Sequence, residues 1–428
     1  MGQIFFYLTY RSLIWPLLRA SFSILALFNK KIAAGLEMRE GAPWLKEDTP
    51  RPSNSIWIHC ASGEFEYAKP VITRIKAQIP DARVIVTYFS PTYAGVVRRF
   101  PGVDFSCPVP WDTPHALRDF IRIQKPQALL VARTDTWPEM LRQAKRFGLP
   151  TLLFSATLPE SAGRTRNPLA RWMSRAVFEW LDAIFCVSES DLAAFRNLGV
   201  GDKTRVAGDT RYDQVMERLM KPKPLKEELF VRRNSQEILV AGSTWLEDER
   251  VLVEVAGRVP VAFILVPHEP TEDHLAQLES IIESRGLKSV RYSKASQWPD
   301  GTILLVDQMG ILAELYRKGS LAFVGGSFKK TVHSVMEPLA TGSLTFVGPL
   351  FENNREAIEF HDIPVQPGES DLRFVQPVIH AEDFAVRLEK ALKIVNEALA
   401  ERIRREIKSR AGKSDLVLTW LSDRVSFS

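Results

Sequence analysis

Short apolar runs recur along the chain, each released by a polar or glycine-bearing turn and followed by a longer stretch with helical spacing. The first is Ser55–Ser62, followed by a helix from Tyr67 to Gln78. Val84–Ser90 comes next, with Ser90 as cap and Pro91 in the first turn of another helix. Strand and helix then alternate through 128–132, 136–147, 151–155, 169–180, 183–187 and 190–198 to 206–208. A second set opens at Ile238–Thr244 and continues through strands at 261–266, 302–306, 321–325 and 344–347. Alternation of this kind predicts parallel sheets with helices on both faces. Two halves of similar size predict two doubly wound, Rossmann-like domains facing a central cleft, a favoured place for substrates. The boundaries are 41–220 and 221–395, with C-terminal helices over 396–428 that can pack back on the N-terminal domain. The charged, proline-bearing stretch 221–234 between the halves is a linker or a solvated bridging helix.

The first 40 residues follow a different pattern. Residues 3 to 28 are apolar but interrupted by Arg11, Pro16 and Arg19, so they do not make an uninterrupted spanning helix. Wound at ~100° per residue, Ser12, Arg19, Ser23 and Lys30 share a narrow stripe while Leu13, Trp15, Leu17, Leu18 and Leu25 lie elsewhere. No acid precedes Glu37, and Arg11, Arg19, Lys30 and Lys31 make the segment cationic. Such a segment lies in an anionic membrane interface, with Tyr10 and Trp15 at headgroup depth.

Composition narrows the classes. With 428 residues, 45% apolar and 25% charged, the chain is globular and long enough for two or three domains. A formal charge of +5 without dense Lys/Arg runs excludes a nucleic-acid binder and suits a basic face towards an anionic substrate or membrane. Cys60, Cys107 and Cys186 stand far apart in or beside apolar runs, as reduced core thiols of a cytoplasmic protein would. No His, Cys, Asp and Glu set has metal spacing, and neither a Walker loop nor Gly-x-Gly-x-x-Gly follows the first strand.

The candidate chemistry sits at strand ends, where open α/β sheets bind ligands. Ser62, Gly63 and Glu64 follow the first strand; Glu64 is either a general base or a carboxylate favoured by the helix dipole. Arg211 closes the first half, as a bidentate anion partner or a surface salt bridge. In the second half Gly242, Ser243 and Thr244 are a phosphate-holding turn or a routine cap, and His268 ends the next strand. The stretch 305–349 is the densest: Gly325 and Gly326 make an abrupt turn after a buried strand. Ser327, Lys330 and His333 follow, with Glu337 on the next helix, placed to accept from hydroxyls.

In this order the pieces resemble the 3-deoxy-D-manno-octulosonic acid (Kdo) transferases, which are GT-B glycosyltransferases. The resemblance rests on His59 with Ser62-Gly63-Glu64, 90–95, Thr134-Asp135-Thr136-Trp137-Pro138, 208–213, 242–244, Asp307 to Gly310, Ala322 to Ser327, His333 to Glu337, and Gly348-Pro349. It implies inverting, metal-independent transfer of Kdo from CMP-Kdo to a lipid A precursor at the cytoplasmic face of the bacterial inner membrane, with no cofactor. Glu64 is then the base for the acceptor hydroxyl, with Ser62, Gly63, Arg133 and Asp135 on the acceptor side. The donor falls to Arg211, Gly242, Ser243, Thr244, His268, Met309, Gly310, Gly325, Gly326, Ser327, Lys330 and His333, with Glu337 reaching the ribose. Where many members read Glu-Thr-Glu-Leu-Trp-Pro, this chain has Arg133 in place of the first acid, and Trp245 stands where the family has His. A GT-B transferase with another nucleotide sugar, and a non-catalytic scaffold binding lipid A, are the alternative readings.

Overall fold

A computed structural model describes residues 2–45, 55–159, 163–231, 237–366 and 371–426. The end of the expected linker, 232–234, lies outside them. The chain forms two compact units, Met1–Gln214 with Arg410–Ser428, and Val215–Ser409.

The first unit is built on seven parallel strands: β1 Ser55–Cys60, β2 Arg83–Tyr88, β3 Phe105–Pro108, β4 Pro126–Ala132, β5 Thr151–Ala156, β6 Ala183–Cys186 and β7 Thr204–Val206. Their order is β3-β2-β1-β4-β5-β6-β7, so the winding reverses between β1 and β4. Strands β1, β2 and β5 are buried along their whole length. Burial on both faces is why they read as continuous apolar runs rather than as alternations. The three cysteines are buried and unpaired, as core thiols.

The second unit repeats the plan with β8 Ile238–Thr244, β9 Ala262–Pro267, β10 Lys288–Arg291, β11 Thr302–Leu305, β12 Leu321–Val324, β13 Leu344–Val347 and β14 Val375–Pro377. The order is β10-β11-β9-β8-β12-β13-β14, all parallel, with its reversal between β8 and β12. Part of the stretch after Lys221 belongs to this core: Leu229 and Phe230 are buried beside Trp298 and Tyr316, and Lys226 Nζ is spent on the carbonyls of Tyr292, Ser293 and Ala295.

The last helices divide between the units. Glu397–Ser409 buries Leu399, Ile403 and Ile407 in the second. Lys413–Ser422 joins the first, laying Val417, Leu418 and Leu421 among the side chains of the helix Phe65–Gln78. Asp213 fixes its start by accepting from the N–H of Ser414 (2.6 Å) and of Gly412.

Residues 2–26 wind as one helix with a π-helical turn at Tyr10–Ile14, just ahead of Pro16. Proline lacks an N–H and collides with the carbonyl four residues back, and a widened turn relieves that collision. A second helix, Lys30–Glu37, starts where Asn29 Oδ1 accepts from the N–H of Lys31 and Ile32.

The orientation corrects one expectation. Tyr10 and Trp15 are buried rather than at a surface. Tyr10 donates its O–H to buried Asp112 (2.6 Å), which also accepts from the N–H of Glu139 and Met140. Burial pushes the Asp112 carboxyl up to about 6. Arg19 lies 4.1 Å over the Trp111 ring, while Ile4, Phe5, Leu8, Leu13, Leu17, Ile24, Leu25, Leu27 and Phe28 are exposed. Among the described residues no helix is long and apolar enough to cross a membrane.

Candidate active site

In the first unit the candidate residues lie at the C-terminal ends of β1, β4 and β7, around the point where the strand order reverses, which is where doubly wound sheets open a crevice. Glu64 occupies the N-cap position of Phe65–Gln78 but makes no capping bond. Its carboxylate turns back to accept from Ser62 N (2.9 Å) and Ser62 Oγ (3.3 Å). Thus Ser62 orients Glu64, and one carboxylate oxygen is left outside these bonds.

In the loop after the adjacent strand, β4, Asp135 is held by a relay that starts in the core. Trp57 Nε1 donates to Thr87 Oγ1 (2.8 Å), Thr87 pairs with His59 Nδ1 (2.9 Å), and His59 Nε2 meets Asp135 Oδ2 (2.9 Å). Trp57 is only a donor, so Thr87 Oγ1 accepts from it, and the Asp135 carboxylate closes the relay as an acceptor. Trp137 Nε1 also donates to Asp135 (3.3 Å). Burial would raise the Asp135 carboxyl, but the bonds from His59 and Trp137 and the Arg164 charge outweigh it and hold it below the usual range. A depressed folded value stabilises the fold above the ordinary carboxyl range near ~4 and is lost as pH falls through it. Asp135→Asn is therefore expected to make the fall of the thermal midpoint below about pH 4 shallower, by up to one proton, in unfolding scans at stepped pH.

Arg211 is paired with Asp209, Nη2 to Oδ2 at 2.8 Å, and lies 4.4 Å over the Tyr67 ring. Arg133 lies over the same ring at 5.2 Å. Thr210 ties the set together by donating to Tyr67 O (2.7 Å) and pairing with Ser155 Oγ (3.0 Å).

In the second unit the candidates gather at the ends of β8, β9 and β12. Asp248 organises them: its carboxylate accepts from the N–H of Trp245 (2.9 Å), Gly326 (2.8 Å) and Phe328 (3.2 Å). Burial raises the Asp248 carboxyl despite those three donors. Four side chains stack at this edge: Lys329 Nζ is 3.5 Å from the Trp245 ring, Trp245 and His268 are 4.9 Å apart, and His268 and His333 are 4.4 Å apart. Burial and the neighbouring His268 lower the His333 imidazole.

The remaining candidates have varied surroundings. Thr244 is buried and donates to Glu249 (2.7 Å). Ser327 is buried, and its hydroxyl accepts from Gly348 N (2.6 Å). Gly310 O accepts from Lys223 Nζ (2.7 Å), Met309 and Lys330 are exposed, and Glu337 Oε1 accepts from Arg218 (2.6 Å). Ser243 has φ +55°. The glycines answer to packing: a Cβ on Gly242 would sit 2.2 Å from Tyr316 Oη, and on Gly325 2.3 Å from Ser243 O. Gly325→Ala is accordingly expected to cost about 1–3 kcal/mol, read as a lower urea midpoint, since backbone cannot yield as a side chain would.

Asp248, Tyr67 and Arg164 are the structural residues that strand-end reasoning passed over. Only Asp248 carried a signal, the i to i+3 spacing from Trp245 that lets an N3 acid reach the cap N–H.

Residues 35–214 match the family described as 3-deoxy-D-manno-octulosonic-acid transferase (kdotransferase). Among curated proteins, the chain is 27% identical over 337 residues to the 3-deoxy-D-manno-octulosonic acid transferase of Chlamydia muridarum, covering 76% of each. It is 24% identical over 371 residues to that of Aquifex aeolicus, covering 85% of this chain and 93% of the relative. Among solved structures, UDP-GlcNAc 2-epimerase from Neisseria meningitidis, bound to UDP-GlcNAc, superposes with a TM-score of 0.58 at 14% identity, covering 86% of this chain and 99% of that one. That likeness speaks to fold, a GT-B-like pair of doubly wound units. The match is centred on the unit that carries Glu64, and with alignment along most of its length the chain is similar to the Kdo transferases, which are glycosyltransferases.

Proposed function

We propose that the protein transfers Kdo from CMP-Kdo to a lipid A precursor, with inversion and without a metal ion. The observation that carries this reading is the Glu64 carboxylate at the β1 end, oriented by Ser62 within the segment that matches the family. In the proposed step Glu64 takes the proton from an acceptor hydroxyl as its oxygen bonds to the anomeric carbon. The bond from that carbon to the CMP phosphate breaks, and CMP leaves with the electron pair. The phosphate charge needs donors rather than a nucleophile. The second unit offers His268 and Lys330 as side-chain cations or donors, and the backbone around Gly325 and Gly326; Arg211 is a further candidate. In this reading Glu337 meets the ribose, while Ser62, Gly63, Arg133 and Asp135 serve the acceptor.

The acceptor is a lipid, and the N-terminal helices support a place at the inner-membrane surface. Exposed Leu27 and Phe28 adjoin exposed Lys30 and Lys31, the pairing of apolar and cationic side chains that an anionic interface attracts.

Incubation with radiolabelled CMP-Kdo and a lipid A precursor tests the reading: labelled lipid no more abundant than with Glu64→Ala would overturn it. Thermal shift against a nucleotide panel tests the donor, since a nucleotide that binds the folded state raises its midpoint. CMP is expected to do so, and stabilisation by a different nucleotide alone would point to another sugar donor.

A further inference from the structure

Three arginines stand at the ends of β4 and β7 or brace them, and two of them are spent. Arg164 donates to Thr134 O (2.8 Å) and Thr136 Oγ1 (2.9 Å), bracing the loop after β4. Arg211 is forked onto Asp209. Arg133 is half-buried, and its guanidinium makes neither a hydrogen bond nor an ion pair among the described residues; it has only the Tyr67 ring. A guanidinium carries five N–H donors in a fixed fork, so its entire recognition capacity is unused. Asp135, two residues on, is taken by His59 and Trp137, and Glu64 by Ser62. Two carboxylates therefore stand on neighbouring strand ends without pairing with this cation.

The backbone supports the same conclusion. Arg133 has φ +65°, a left-handed conformation that a side chain disfavours, and Ser155 on β5 has φ +50°. Arg133 N donates to Phe154 O (2.8 Å), and the Thr134 carbonyl is held by Arg164, so this conformation is clamped from both sides. Such conformations persist where surroundings over-determine them, and they gather at ligand sites.

We propose that Arg133 is a phosphate-binding residue: it forks onto two oxygens of a phosphate on the glycolipid acceptor and so holds the sugar hydroxyl for Glu64. Arg–phosphate pairs are commonly bidentate, and the contact with the Tyr67 ring leaves all five N–H donors for such a pair. The inference rests on the reading that the first unit holds the acceptor.

The test compares one lipid acceptor before and after phosphatase treatment, with wild type, Arg133→Ala, Arg133→Lys and Arg133→Gly. On the phosphorylated acceptor, Arg133→Ala is expected to raise KM about 10- to 100-fold, the scale of a charge-assisted pair, with kcat nearly unchanged. Arg133→Lys should recover part of that, because a point charge replaces a fork. Arg133→Gly should match Ala in KM while keeping the thermal midpoint, since glycine accepts the left-handed backbone. On the dephosphorylated acceptor wild type and variants should coincide. Equal losses on both acceptors would overturn the proposal, as would a rise confined to the KM for CMP-Kdo, which would assign the anion to the donor. A second arm needs no turnover: glucosamine 4-phosphate should raise the thermal midpoint of wild type and not of Arg133→Ala. No shift in wild type would count against the site. A shift that depends on Arg133 in a protein that makes no product would uphold the site while the transferase reading fails.

Discussion

Glu64→Ala is expected to lower kcat for transfer by about two to four orders of magnitude, the usual contribution of a positioned general base. Stability should barely follow. The bonds lost are those from Ser62, in a partly exposed turn, and a helix N-terminal carboxylate is worth only about 0.3–1 kcal/mol. Glu64→Gln separates the two roles this residue can play. A glutamine oxygen can still accept from Ser62 N–H but cannot take a proton, so a base demands that Gln be as poor as Ala. Recovery of activity in Gln would reduce Glu64 to an orienting group. The measurement is kcat under saturating donor and acceptor, with thermal midpoints alongside; loss of fold in step with activity would also defeat the assignment.

Asp248→Ala should have the largest effect on stability. Removing the carboxylate orphans three N–H groups, those of Trp245, Gly326 and Phe328, the last two at the end of β12 and the first at the end of β8. An unmet buried donor costs ~1–3 kcal/mol, so a combined loss of about 3–5 kcal/mol is expected from urea unfolding, the three being coupled rather than additive. Nucleotide affinity should fall with it, because Gly325 and Gly326 lose the group that fixes their loop. A midpoint shift worth under ~1 kcal/mol would show that water replaces the carboxylate at little cost.

Central strands were plain in the sequence and edge strands were not. Ser55–Cys60, Thr151–Ala156 and Leu321–Val324 have neighbours on both sides and helices on both faces, so their side chains are buried throughout and mostly apolar. Three edge strands, Phe105–Pro108, Lys288–Arg291 and Val375–Pro377, have one neighbour each and went unread; Lys288–Arg291 has no buried residue at all. A short, half-wet strand carries too little apolar signal to separate it from a loop. The candidate site divides in the same manner. Glycines and loop polar groups mark strand ends, but sequence does not say whether a hydroxyl is spent, as in Ser327 on Gly348 N, or whether an arginine has no hydrogen bond or ion pair among the described residues, as in Arg133. Those facts depend on partners distant along the chain: His59 and Asp135 are 76 residues apart, and Arg164 and Thr134 are 30 apart.

The helix Lys413–Ser422 has a consequence for how the protein is born. It completes the core around Phe65–Gln78, yet about 330 residues separate the two in the chain. At ~5–20 residues per second a ribosome needs on the order of half a minute to deliver it. For that interval the first unit, although begun first, waits with part of its apolar surface bare, while the whole second unit emerges and can fold. The nascent first unit is therefore the natural client for a chaperone.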